Sequence, residues 1–349
     1  MRLKVLSLPV ASMVALSIAA AVTGAALASH ADEPGAAEHL GLPEKTVEDA
    51  AAYADFVGKA TAVDSRFKNA SAVRRALKTG AAYESGQLQS GEVAYAALLA
   101  LKSPRFVQGL GELREQGRAD QLADRLLQNP ASVLSMPGAA NAAADAARVL
   151  NGDGQHLFAT GAAVKQAAYT IQHQAWSRSF ITDRPQRLAQ VKGLSETRFA
   201  ATSKDTSRLL DTLARIGSSS VDSGGQDAGD GYSQGTSASP VVTRGLALAA
   251  LAVLGRARNL DERTMVGLAS DTGGSECLKL AKLNLFQCLA VAGPKYEDVF
   301  CLGEHGLKET GTCLSKAATS PAVFMAPVRA SYPAEGASPA QSPSGWSGR

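Results

Sequence analysis

The chain has 349 residues, and its 35 Lys and Arg against 32 Asp and Glu suggest neither a nucleic acid nor a strongly anionic partner. Apolar residues make up 45% of it but aromatics only 5%, and alanine dominates the apolar set. Alanine has the highest helix propensity and lets helices approach closely, so an all-α fold is predicted: a multi-helix bundle or stacked helix pairs.

Met1-Arg2-Leu3-Lys4 precedes an uncharged apolar stretch from Val5 to about Ala28, which ends in the cleavage-like tripeptide Ala26-Leu27-Ala28. Ser29-His30-Ala31 offers a second such tripeptide. A signal peptide over residues 1–28 is predicted, cleaved on export, with a periplasmic mature chain. The rival is an uncleaved anchor, since roughly 20 apolar residues span a bilayer. No other segment qualifies: Leu246 to Leu254 is short and flanked by Arg244 and Arg256.

Residues 32–216 read as a helical body. Apolar positions at helical spacing predict helices over Glu44–Lys59, Ala70–Tyr83 (capped by Asn69 or Ser71) and from Ser90-Gly91-Glu92-Val93 to about Lys102. Ser103-Pro104 starts another, which ends near Gln116-Gly117; the next runs from Arg118 to Gln128 and stops at Asn129-Pro130. Pro137 to Leu150 should end at Asn151-Gly152, a terminating pair. A longer helix is expected from Gln155 to Trp176, with a stripe of mostly small residues: Leu157, Gly161, Val164, Ala168, Ile171 and Ala175. Asp183–Val191 and Ser203–Ile216 complete the body.

Residues 217–239, rich in Gly, Ser and Asp, read as a flexible linker. Residues 240–318 form a second helical segment that opens with an apolar helix, Val241–Ala257. The Pro-, Ser- and Ala-rich residues 319–349 are predicted to be a disordered tail.

All four cysteines lie between Cys277 and Cys313. Behind an export signal such a cluster points to disulfides more than to metal ligands. A helix from Cys277 to about Ala292, a turn at Gly293-Pro294 and a second helix from Glu297 to about Lys308 make a hairpin. Cys277 and Cys288 then sit about 16 Å apart on one helix, too far for a bond or a shared zinc. Two connectivities survive, and the nested pairs Cys288–Cys301 and Cys277–Cys313 fit the turn best, with Gly311 ending the second helix. The run from Tyr296 to Ser315 resembles the cysteine-bearing C-terminal part of uncharacterised exported helical proteins of Gram-negative bacteria. That resemblance implies export but no activity.

Catalytic residues cannot be named from the sequence, and no metal or cofactor site is predicted. Asp271-Thr272-Gly273 imitates an aspartic-protease signature but has no second copy, so Asp271 is read as a turn residue. Ser65-Arg66-Phe67-Lys68 and Lys78-Thr79-Gly80 imitate penicillin-binding-protein motifs at the wrong separation. Cys301 and His305, four apart, suit a metal only if the disulfide is absent, and His39, His156 and His173 form no pattern. Glu84, Glu112 and Glu115 are helix acids with nothing to single them out. The leading expectation is a non-enzymatic envelope protein that binds or stabilises another envelope protein. The alternatives are a cell-wall-directed hydrolase and a small-molecule carrier.

Overall fold

The computed structural model describes residues 40–219 and 238–319; the predicted signal peptide, most of the 217–239 linker and all but the first residue of the 319–349 tail lie outside them. The described residues belong to one compact unit. They are all-α, with α1 (Glu44–Thr61), α2 (Ala70–Ala81), α3 (Ser85–Ala100), α4 (Pro104–Glu115) and α5 (Ala119–Gln128) first. A 3₁₀ turn (Pro130–Ser135) leads into α6 (Ala139–Ile171), the short α7 (Ala175–Arg178), α8 (Arg184–Glu196) and α9 (Ser203–Ser219). Then come α10 (Pro240–Val253), α11 (Glu262–Ala269), α12 (Thr272–Val291), α13 (Lys295–Cys301), a π-helical segment (Leu302–Glu309) and α14 (Thr310–Thr319). No described helix is long and apolar enough to cross a membrane.

Two of these helices form the centre. α3 and α10 are apolar almost all round, and such helices are stable only when enclosed. Nearly every residue from Val93 to Ala100 and from Val241 to Ala252 is buried. Glycine sets how closely their neighbours approach. A Cβ on Gly91 of α3 would collide with the α1 backbone at Asp49, and one on Gly245 of α10 would collide with α3 at Ala96.

The same device joins α6 to the end of the chain. Cβ atoms on Gly154 and Gly311 would each lie under 3.0 Å from the other's carbonyl oxygen, and so would Cβ atoms on Gly161 and Gly303. The two backbones therefore run in contact, with Leu157, Val164, Ala168 and Ile171 buried alongside. This confirms the predicted small-residue stripe except for Ala175, which is exposed beyond the end of α6.

Both predicted disulfides are present. Cys277–Cys313 and Cys288–Cys301 have Cα separations of 5.7 and 5.6 Å, inside the range a disulfide needs. Their register needs explaining, because the two arms are unequal. Cys277 to Cys288 is 11 residues, about 20° past three turns at 100° per residue, so both face one way. Cys301 to Cys313 is 12 residues, which in an unbroken α-helix would set them about 120° apart. The π segment lies between them, and a π turn takes in one extra residue. Counted without that residue, Cys313 returns to the face of Cys301. The glycine seam obeys the same arithmetic: seven residues from Gly154 to Gly161 match eight from Gly303 to Gly311. One inserted residue thus brings both the bridges and the seam into register.

The hairpin is tied to the body by buried polar groups. The Lys282 ammonium donates to the carbonyls of Ala81, Tyr83 and Ser195, which lie at or beside the ends of α2 and α8, and sits 3.7 Å from the centre of the Tyr83 ring. Helix C-termini carry negative partial charge, so one amine serves two of them, while burial lowers its pKa to about 7. Arg187 of α8 pairs with Asp298 at 2.5 Å and donates to the Leu289 carbonyl, fixing the C-terminal end of α12. The Gly293-Pro294 turn is held by Ile181 N–H donating to the Gly293 carbonyl at 2.9 Å.

Several boundaries differ from the sequence expectation. α6 runs straight through Asn151-Gly152, because the Asn151 side chain accepts from the Ser315 hydroxyl and Gly154 belongs to the seam. α3 begins at Ser85 and not at Ser90, because the Glu84 carboxylate caps it by accepting from Gly86 N–H at 2.7 Å and Gln87 N–H at 2.8 Å. Gly311 lies inside α14 and ends nothing; its missing side chain serves close approach, not termination. α10 stops at Val253, short of Ala257, and α11 was not foreseen.

Gly303→Ala is expected to cost about 1–3 kcal/mol by overpacking against the Lys165 backbone, seen as a lower melting temperature with both bridges intact. An unchanged melting temperature would mean that the seam is looser than described.

Candidate functional site

A hollow that gathers charge lies where α1 ends and α2 begins. Asp64 builds the connecting loop: its carboxylate accepts from Arg66 N–H at 2.9 Å and from the Arg66 guanidinium at 3.0 and 3.1 Å. These bonds hold the Asp64 carboxyl below its ordinary value. Phe67 turns inward and is buried, and Asn69 starts α2 by accepting from Ala72 N–H at 3.0 Å. The result is a cleft of about 380 Å³.

Four cations line it, Lys59, Arg66, Lys68 and Arg75, against one carboxylate, Asp64. Lys59 is paired with Asp55 at 2.7 Å and Arg66 with Asp64. Lys68 and Arg75 are exposed and have no carboxylate partner among the described residues. A guanidinium fork beside an ammonium suits the oxygens of a carboxylate or phosphate, which Arg can hold by two parallel bonds. The remaining polar lining, Thr79, spends its hydroxyl on the Arg75 carbonyl at 3.2 Å. The cleft is therefore equipped to bind negative charge.

A second hollow of about 330 Å³ adjoins the first and shares Lys59. It lies between α1 and α9, lined by Ala51, Ala54, Gly58 and Leu209 with the charged Asp55, Asp205 and Arg208. Those charges are matched locally, Arg208 with Asp205 at 3.2 Å and Lys59 with Asp55.

The residues weighed from sequence fall as follows. Arg66, Phe67, Lys68 and Thr79 of the two imitated motifs meet in the cleft, while Ser65 and Lys78 do not line it. Asp271 caps α12 by accepting from Gly274 N–H at 2.7 Å, a turn role as expected. The metal reading of Cys301 with His305 is overturned, because Cys301 is bonded to Cys288. His305 instead meets Glu309 at 2.8 Å, and Glu309 accepts from Asn284 at 2.9 Å. Among the described residues no group of three or more His, Cys, Asp and Glu could hold a metal. Glu84 is a helix cap and Glu112 accepts from Gln108 at 3.0 Å; His39 lies outside the described residues, and Glu115, His156 and His173 are exposed.

The interior holds an acidic group that the sequence did not reveal. Glu92 of α3 is 0% exposed, and neither carboxylate oxygen has a hydrogen-bond partner in the structure. Burial first, then the charges of Asp271 and Asp153, raise its pKa well above the ordinary value. Burial also raises Asp153 to about 6, opposed by the Tyr53 hydroxyl, which donates to it at 3.3 Å. Tyr53 and Tyr95 pack with ring centres 5.3 Å apart over the same region. These groups lie within helix packing and line none of the hollows described above.

No protein-family model matches the chain, and neither the curated proteins nor the solved structures provide a match.

A raised acid holds its proton more tightly folded than unfolded, so folding is penalised as pH rises from the unfolded pKa towards the folded one. Glu92→Gln removes that penalty. Its stability relative to the parent should therefore climb as pH rises above the ordinary carboxyl value, by up to about 1.4 kcal/mol per pH unit while the parent's Glu92 stays protonated. Parallel pH profiles of the two proteins in urea would show that Glu92 is not held neutral.

Proposed function

We propose that this protein is an exported, non-enzymatic binding module of the cell envelope whose basic cleft takes an anionic ligand. The cleft at Lys59, Arg66, Lys68 and Arg75 carries the reading, because it is concave, cationic beyond its own pairing needs and of small-molecule size. Two disulfides that pin one hairpin suit an oxidising compartment, in keeping with the N-terminal signal and with the resemblance to exported proteins. Net charge hides this site, since the cations are gathered in one place and balanced elsewhere.

Titration calorimetry with inorganic phosphate and citrate tests it. Saturable binding that falls at least tenfold in the Lys68→Glu, Arg75→Glu double variant is expected. Both residues are exposed, so the variant should melt like the parent. Binding that is absent, or indifferent to the variant, would remove the reading. Export predicts in addition that protein recovered from the periplasm has lost residues 1–28; an intact N-terminus there would overturn cleavage.

A further inference from the structure

The two hollows follow one side of one helix. The α1 residues that line them, Ala51, Ala54, Asp55, Gly58, Lys59 and Ala62, recur every three or four positions and so share a stripe. From 51 to 62 the stripe runs about 16 Å at 1.5 Å per residue. Four of its six members are Ala or Gly, and a Cβ on Gly58 would meet nothing within 4 Å. The two hollows thus follow one another along the stripe, with Lys59 lining both.

Its two ends differ in chemistry. At Ala62 it opens on Arg66, Lys68 and Arg75, where positive charge is in excess. At the other end Ala54 and Gly58 face Arg208 and Thr212 of α9 above the buried Ala51 and Leu209, and each charge there is already matched. A small inorganic anion would use only the first end. A long polyanion would find no cation in excess at the second.

We infer that this side of α1 holds a single-chain anionic amphiphile, its carboxylate or phosphate at Lys68 and Arg75 and its hydrocarbon chain laid over Gly58 and Ala54 beside α9. The inference rests on the anion-binding reading of the cleft and adds the ligand class. Each methylene removed from water tightens binding by up to about fourfold, so even a partly covered chain has a measurable effect.

The test compares acetate, inorganic phosphate, dodecanoate below its micelle concentration, and phosphatidylglycerol vesicles, each titrated into the full mature protein. Dodecanoate should bind at least tenfold more tightly than acetate. Gly58→Leu fills the hollow beside α9 with a better helix former at an open position, so the fold should be at least as stable, as thermal melting would verify. It should bring dodecanoate to within about twofold of acetate and leave phosphate unchanged. If phosphate binds but dodecanoate gains nothing over acetate, the amphiphile is refuted and the anion cleft stands. If neither phosphate nor dodecanoate binds, both readings fall. Binding to vesicles alone would replace the amphiphile with a membrane surface.

Discussion

Backbone contact between α6 and the end of the chain is the constraint on which the rest of this structure depends. Gly154 and Gly161 face Gly311 and Gly303 so closely that no side chain fits between them. Contact of this kind gains dispersion energy from main-chain atoms that side chains normally keep apart. It also permits one register only, since a slip of one residue would place a Cβ against a carbonyl. The π segment Leu302–Glu309 is the adjustment that makes that register compatible with both disulfides. Once α14 is set on α6, Cys313 fixes the start of α12 and Cys301 fixes its end. α12 in turn delivers Lys282 to the ends of α2 and α8.

Much of this was legible in the residues. The all-α class followed from alanine content and helical spacing, and the nested bridges followed from distances along a hairpin. What escaped was information that exists only between segments. Asn151-Gly152 is a sound local stop signal, yet contacts from Ser315 and Gly311 outweigh it. Gly311 was taken for a terminator because a glycine's reason is not written beside it, and here the reason is a neighbour more than a hundred residues away. The π turn left one trace, the mismatch of eleven and twelve residues between paired cysteines. Glu92 was read as part of a helix start at Ser90-Gly91, which would have kept it wet. A start at Ser85 carries it into the core instead.

Charge is handled in two opposite ways. Inside, Glu92 and Asp153 are held towards their neutral forms by burial, while Asp298 at about 6 keeps Arg187 beside it. Outside, Lys68 and Arg75 stand in excess at one end of α1. That helix works on two sides: Val47, Tyr53, Phe56 and Val57 are buried in the core, and Ala54 and Gly58 on the other side leave an open hollow. A near-zero total charge conceals both arrangements, because it sums over groups that never meet.

The seam also has a consequence for when the protein can become itself. Its paired glycines are separated by 142 residues (161 to 303) and 157 residues (154 to 311) along the chain. Loop closure over such lengths comes late, after local helices have formed. Until residues 303–311 arrive, α6 has a bare backbone face and α12 has no anchored partner. A chain made from its N-terminus therefore cannot close this seam until residue 311 has appeared, so α6 waits for a partner that the helices before it cannot supply.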